Sequence, residues 1–392
     1  MISVRHAFVG GRFVEGVTVR HEGGRLTEVR PRRAGDPEPL HGTLLPGLVN
    51  AHLHLELSWT AGLVPGGKGF DAWVARSLAL QRPDDTGPAV DRAVEDLVAY
   101  GTAAVSDICN GPDPQSGPRR GPDTGARFAE AGIGGVVQRE LFGLHAPRQP
   151  ALLDRAAEPP VRHEGRVPVV SRTSPHATYS MHRPLLEATV RADGLGHPAS
   201  IHVSEDLQEH AFLADGSGPQ GPRLDGWGLE WRSWEPPGLT PTGWLASLDL
   251  LGPGLLLVHG VHLTPADLAL VAASGSPLCL CPRSNLHIGG RLPDVPALIA
   301  ASVPLALGTD GLGSTPDLDV LSEIPVLQRA FPEVPVERFV AMATSGGADA
   351  LRLPWAGRLE VGRAPGLLLI DGPPVSLCTA PRRWLEPPGE AA

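Results

Sequence analysis

The sequence predicts an α/β fold: a (β/α)8 TIM barrel with a small β-sandwich domain formed by both chain ends. Three observations carry this expectation. Eight short apolar runs alternate with amphipathic stretches through the middle of the chain, β-rich segments with glycine turns stand at each end, and several of the apolar runs finish on polar residues.

Residues 2–9, 12–20 and 25–30 are rich in β-branched side chains and are separated by Gly10-Gly11 and Gly23-Gly24, the pattern of hairpins in a small sheet. Residues 357–361 lead into a turn, and residues 367–370 read as another strand. Neither end has enough apolar surface to fold alone. The expectation is one small domain built from residues 1–44 and 351–392, with a barrel of residues 45–350 inserted between them. The barrel strands are read at residues 44–52, 103–108, 135–141, 167–174, 199–203, 254–259, 277–281 and 303–308, with helices at 89–100, 184–192 and 265–273. The rival architecture, a doubly wound sheet, lacks its glycine-rich dinucleotide fingerprint after any early strand. Residues 111–123 and 216–241 are rich in Pro and Gly and read as long loops.

Composition narrows the partners. The chain has 392 residues, 42% hydrophobic and 19% charged, with a formal charge of −10. That is enough apolar material for a large core. The acidic balance argues against binding nucleic acid or an anionic membrane. The apolar stretch at 297–307 is short and broken by Ser302 and Pro304, so no run is long enough to span a bilayer. His6, Gly10, Gly11 and Arg12 stand where a signal peptide needs an apolar segment. Four cysteines (Cys109, Cys279, Cys281 and Cys378) show no scaffold spacing, so they read as reduced and the protein as cytoplasmic. Cys279 and Cys281 share one short strand and read as core.

The strongest local signal is His52-Leu-His54 at the end of the first barrel strand. Residues two apart on a strand share a face, with Cα atoms about 6.6 Å apart, so both imidazoles can aim at one point. Three further polar groups finish later strands: His202 followed by Glu205, then His259, then Asp310 in Gly308-Thr-Asp310. A barrel gathers its strand ends at one rim, so these groups converge without being neighbours in the chain.

This set resembles the amidohydrolase superfamily, and the resemblance covers nearly the whole chain. Ser174-Pro-His-Ala-Thr-Tyr179, His202-Val-Ser-Glu205, Cys281-Pro-Arg-Ser-Asn285 and Gly308-Thr-Asp310 are similar to the branch of nucleoside, cytosine and guanine deaminases and triazine chlorohydrolases. The run His52-Leu-His-Leu-Glu-Leu-Ser58 most resembles the aminodeoxyfutalosine deaminases of the alternative menaquinone pathway, with Leu53 where Thr is usual.

The resemblance implies a metal-dependent aminohydrolase of an adenosine-derived nucleoside, converting aminodeoxyfutalosine to futalosine and ammonia. A guanine, cytosine or triazine-type deaminase or chlorohydrolase is the alternative on the same scaffold. His52, His54, His202 and Asp310 are expected to hold one divalent metal ion, zinc by its ligand chemistry, with ferrous iron as the alternative. The only lysine, Lys68, follows the first barrel strand and cannot bridge two metals from the fourth; Glu140 is the other candidate bridge, and the reading is a mononuclear site. His259 is expected to orient the attacking water, Asp310 to accept its proton, and Glu205 to protonate the ring nitrogen. His176 is expected to touch ribose or base, Arg139 and Arg283 to clamp a substrate carboxylate, and Glu56 and Ser58 to contact the base. Trp227, Trp231, Trp234 and Trp244 pack a loop onto the barrel or form a lid over the substrate. Barrels of this kind often pair, which leaves a homodimer open.

Overall fold

The computed structural model describes residues 1–109, 122–144, 149–226 and 230–389. Strands β1 (Ile2–Val9), β2 (Arg12–Glu22) and β3 (Arg25–Pro31) form an antiparallel meander. Gly10 and Gly11 join the first two with φ of 59° and 78°, and Gly23 and Gly24 join the next two with φ of 56° and 83°. Two successive left-handed residues make the tight turn whose twist matches the flanking strands, and glycine enters it without strain. Strand β4 (Leu40–Pro46) lies parallel to β1.

The run predicted at 44–52 is two strands. After β4 the chain passes through Gly47 into β5 (Leu48–Leu53), the first strand of the barrel. The Gly47 amide donates to the Pro365 carbonyl at 3.1 Å. A Cβ there would stand 2.5 Å from that oxygen and from Ala103 Cβ, so only glycine fits this joint.

The barrel continues with β6 (Thr102–Ile108), β7 (Gly134–Leu141), the short β8 (Val161–His163), β9 (Val169–Pro175), β10 (Ala199–Val203), β11 (Leu255–His259), β12 (Leu278–Leu280) and β13 (Leu305–Leu307). Strands β5, β6, β7 and β9 pair in parallel, as do β10 to β13, while β8 is an antiparallel addition at the edge of β9. Two seams join these sheets. The His202 amide donates to the His176 carbonyl at 3.0 Å, and the amides of Thr309 and Asp310 both donate to the His52 carbonyl at 3.0 Å. Both seams lie at the carboxyl ends of the strands. Helices Gly87–Ala99, Arg183–Arg191 and Pro265–Ser274 stand where the apolar periodicity predicts them.

Strands covered on both faces become continuously apolar. In β11, Leu255 and Leu257 pack with Phe212, Leu298 and Trp244, while Leu256 and Val258 pack with Cys279, Cys281 and Ala306. Strands β14 (Leu367–Ile370) and β15 (Arg382–Glu386) return to the small domain, whose order is β15-β14-β4-β1-β2-β3. Its strands form one continuous hydrogen-bonded order around their own core of Val4, Val19, Leu44 and Leu369. Among the described residues, no helix is long and apolar enough to cross a membrane.

Candidate metal centre and active site

The seams decide which side chains meet. His52 is the penultimate residue of β5, and beyond the strand the chain leaves extended geometry at His54 to enter a 3₁₀ helix, Leu55–Thr60. The Asp107 carboxylate fixes that turn by accepting the Leu55 amide at 2.8 Å. His54 Nε2 stands 3.4 Å from His202 Nε2 and 3.4 Å from Asp310 Oδ1, and His52 Nε2 stands 3.9 Å from the same oxygen. Donors held about 2.0–2.2 Å from a zinc ion in a tetrahedron stand about 3.3–3.6 Å apart, so the spacing suits a cation.

Hydrogen bonding agrees. Both ring nitrogens of His52 are buried without a hydrogen-bond partner. His202 gives its Nδ1 proton to the His176 carbonyl at 2.7 Å, which leaves a lone pair on Nε2. Asp310 Oδ2 accepts from Ser284 Oγ at 2.5 Å, and its Oδ1 from the Gly311 amide at 2.9 Å. Burial keeps the imidazoles neutral: it lowers His54 and His202 each to about 4, and drives His52 well below the ordinary histidine range. Neutral imidazole is the form that binds metal.

Beside this set stand Glu205 and His259, with His259 Nε2 3.6 Å from Glu205 Oε2. Asn285 Nδ2 lies 3.0 Å from His259 Nδ1. With the amide donating there, the ring proton sits on Nε2. Burial, and secondarily the charges of Asp310, Glu209 and Asp206, hold the Glu205 carboxyl well above the usual carboxylate range. It can therefore carry a proton at neutral pH. His259, Asp310 and Ser204 adopt left-handed backbone with φ of 74°, 60° and 50°. Such strain in residues other than glycine gathers where a side chain must be aimed against its strand's alternation.

These groups line a cavity of about 320 Å³ together with Glu56, Glu140, His176 and Tyr179. Its wall is apolar: Leu57 and Trp59 from the 3₁₀ helix, Phe70, Trp73, Val74 and Leu78 from the helix Phe70–Ala79, and Ile288. In the sequence this wall is marked only by the aromatic pair Phe70 and Trp73 at helical spacing in the connection after β5. Behind Phe70, the Arg223 guanidinium stacks 4.6 Å from the ring and pairs with Asp71 and Asp206.

Three of the residues expected at the substrate do not line the cavity. On β7 the alternation turns Glu140 toward the cavity and Arg139 away from it, where Arg139 Nη1 pairs with Glu158 at 3.1 Å. Arg283 opens the helix Pro282–Gly289 and is consumed by Glu323 at 2.6 Å and Asp317 at 2.8 Å. Ser58 is buried, and its hydroxyl donates to the Leu55 carbonyl at 2.7 Å within its own helix. Neither arginine lines the cavity, and neither does Ser58. Trp234 stacks on Phe212 at 5.0 Å, with Trp231 and Trp244 against the same cluster, so these three pack the loop instead of covering the cavity; Trp227 lies outside the described residues. Lys68 is exposed.

A barrel whose rim carries three imidazoles, a carboxylate and a buried acid defines a hydrolase. Comparison with known proteins gives the same class. The amidohydrolase family model matches residues 43–388. The chain belongs to the amidohydrolase family, and it is a hydrolase acting on C–N bonds. It is 28% identical over 375 residues to a 5-methylthioadenosine/S-adenosylhomocysteine deaminase of Halobacterium salinarum, covering 91% of this chain and 79% of the relative. It is 30% identical over 368 residues to an aminodeoxyfutalosine deaminase of Deinococcus radiodurans, covering 90% and 84%. The crystal structure of Helicobacter pylori aminofutalosine deaminase with methylthio-coformycin superposes with a TM-score of 0.76 at 18% identity, covering 100% of this chain and 99% of that one.

Proposed function

We propose that the protein deaminates an adenosine-derived nucleoside, and that its substrate is aminodeoxyfutalosine, converted to futalosine and ammonia in menaquinone biosynthesis. The observation that carries the reading is the placement of Glu205, His259 and Asp310 around one point of the cavity, beside the convergent nitrogens of His52, His54 and His202.

His52, His54, His202 and Asp310 would hold a single divalent cation, zinc by donor type. When bound, it supplies a water activated near neutral pH. Asp310, steadied by Ser284, takes a proton from the water that adds to the purine C6. His259, fixed by Asn285, presents Nε2 to the incoming oxygen. Glu205 gives its proton to ring N1, so addition at C6 leaves no nitrogen anion. The proton held by Asp310 passes to the amino group, the C6–N bond breaks and ammonia leaves. The new hydroxyl proton returns to Glu205 as the C6 carbonyl forms.

The 30% identical aminodeoxyfutalosine deaminase supports this substrate, and the apolar wall is suited to a bulky 5′ substituent. A second reading, 5′-methylthioadenosine, is favoured by one observation: among the described residues, no Lys or Arg lines the cavity, so a neutral 5′ group needs no counter-ion. Ammonia release should be measured on aminodeoxyfutalosine, 5′-methylthioadenosine, adenosine, guanine and a chlorotriazine. The highest kcat/KM on aminodeoxyfutalosine supports the first reading, and on 5′-methylthioadenosine the second. Activity confined to guanine or the triazine overturns both.

A further inference from the structure

We propose that Glu140 is a substrate-recognition residue whose carboxylate accepts hydrogen bonds from the sugar hydroxyls of the nucleoside, an inference that rests on the deaminase reading above. Glu140 is the penultimate residue of β7, and its side chain is only 6% exposed although it lines the cavity. Its Oε1 is buried with no hydrogen-bond partner. His202 Nδ1 stands 3.4 Å away, but its proton already goes to the His176 carbonyl. A buried carboxyl without a donor is costly, which points to a donor supplied from outside the protein.

A second cation does not fill this role. Glu140, His176 and His202 have ligand atoms within 4.8 Å of one another. However, the His202 nitrogen turned toward Glu140 is the one engaged by the His176 carbonyl, and His176 Nδ1 is engaged by Ser180 Oγ at 2.8 Å.

The chemistry of the substrate names the donor. An adenine ring offers acceptors at N1, N3 and N7, and its only N–H group is the amino group at the reacting carbon. That carbon must meet Glu205, His259 and Asp310, which stand together at the ends of β10, β11 and β13. Glu140, on β7, groups instead with His176 and His202. The donors left to reach it are the 2′ and 3′ hydroxyls.

The test compares the parent with E140Q and E140L on adenosine and its 2′-deoxy and 3′-deoxy forms, each carrying the 5′ group the parent turns over fastest, with metal content measured alongside. For the ribonucleoside, kcat/KM should fall on the order of ten- to a hundredfold in E140L, chiefly through KM, and less than about fivefold in E140Q, whose amide keeps an acceptor oxygen. Parent and E140L should converge to within about threefold on the deoxy form that lacks the partner hydroxyl. Metal content should match the parent in both variants. With an active parent, equal losses on all three sugars, or loss of metal in E140L, overturn the inference alone. A parent that deaminates no adenosine derivative overturns the deaminase reading, and the inference with it.

Discussion

His202 Nε2 and His54 Nε2 stand 3.4 Å apart although 148 positions separate them in the chain. Both rings are neutral at pH 7, since burial brings each to about 4. Two lone pairs facing each other at that distance call for a cation between them. His202→Ala should therefore leave less than about a tenth of an equivalent of bound metal and lower turnover by about a thousandfold or more. Metal analysis and ammonia release check both. Dialysis of the parent against a chelator should reproduce the loss, and added zinc should reverse it.

Glu205→Gln would remove the proposed proton carrier while leaving His52, His54, His202 and Asp310 in place. Turnover should fall by about 10²–10⁴, the usual worth of general acid catalysis, at unchanged metal stoichiometry. A variant that loses its metal would show that Glu205 supports the centre instead of the chemistry.

The Glu209 carboxyl gives stability a pH dependence of its own. Burial pushes it up to about 8 from an ordinary 4.5, although Thr178 donates a hydrogen bond to it. Between those values the folded state holds a proton that the unfolded chain has released, so this group's contribution to stability falls as pH rises from 4.5 to 8. Glu209→Gln abolishes that slope. Thermal midpoints of parent and variant should diverge in the variant's favour between pH 5 and 8.

Arg283 bridges the fully buried Glu323, which burial pushes up to about 7, and the partly exposed Asp317, so its loss leaves the buried carboxyl without its charged donor. Arg283→Ala should cost about 3–5 kcal/mol of stability, measured by denaturant unfolding. The ratio of kcat/KM between a nucleoside with a 5′ carboxylate and a neutral one should stay at the parent's value. A selective loss on the carboxylate substrate would restore Arg283 to the binding site.

The parts of the site readable beforehand follow strict periodicity or strand ends. His52 and His54 share a face, and His202, His259 and Asp310 end strands that one rim gathers. What spacing does not convey turns on where regular geometry stops. Past His54 the chain tightens into a 3₁₀ helix, which directs Ser58 to its own Leu55 carbonyl and leaves Glu56 lining the cavity. Arg139 and Glu140 are neighbours on β7, so which one faces the cavity depends on a one-residue register. Arg283 sits one residue inside a helix, whose first turn sends it to Glu323. The apolar wall, and Arg223 behind it, come from helices packed across the mouth, a tertiary relation that carries no sequence spacing.

The first metal-facing strand hangs from the last strands of the polypeptide. β4 is hydrogen-bonded between β1 and β14, and only Gly47, itself tied to Pro365, separates it from β5, which carries His52. A nascent chain still lacking residues 365–386 has made every donor of the centre but not the brace that sets the height of the first two. Assembly of the metal-binding rim is thus deferred until translation is nearly complete, and ribosome-stalled chains ending before β14 should take up no zinc.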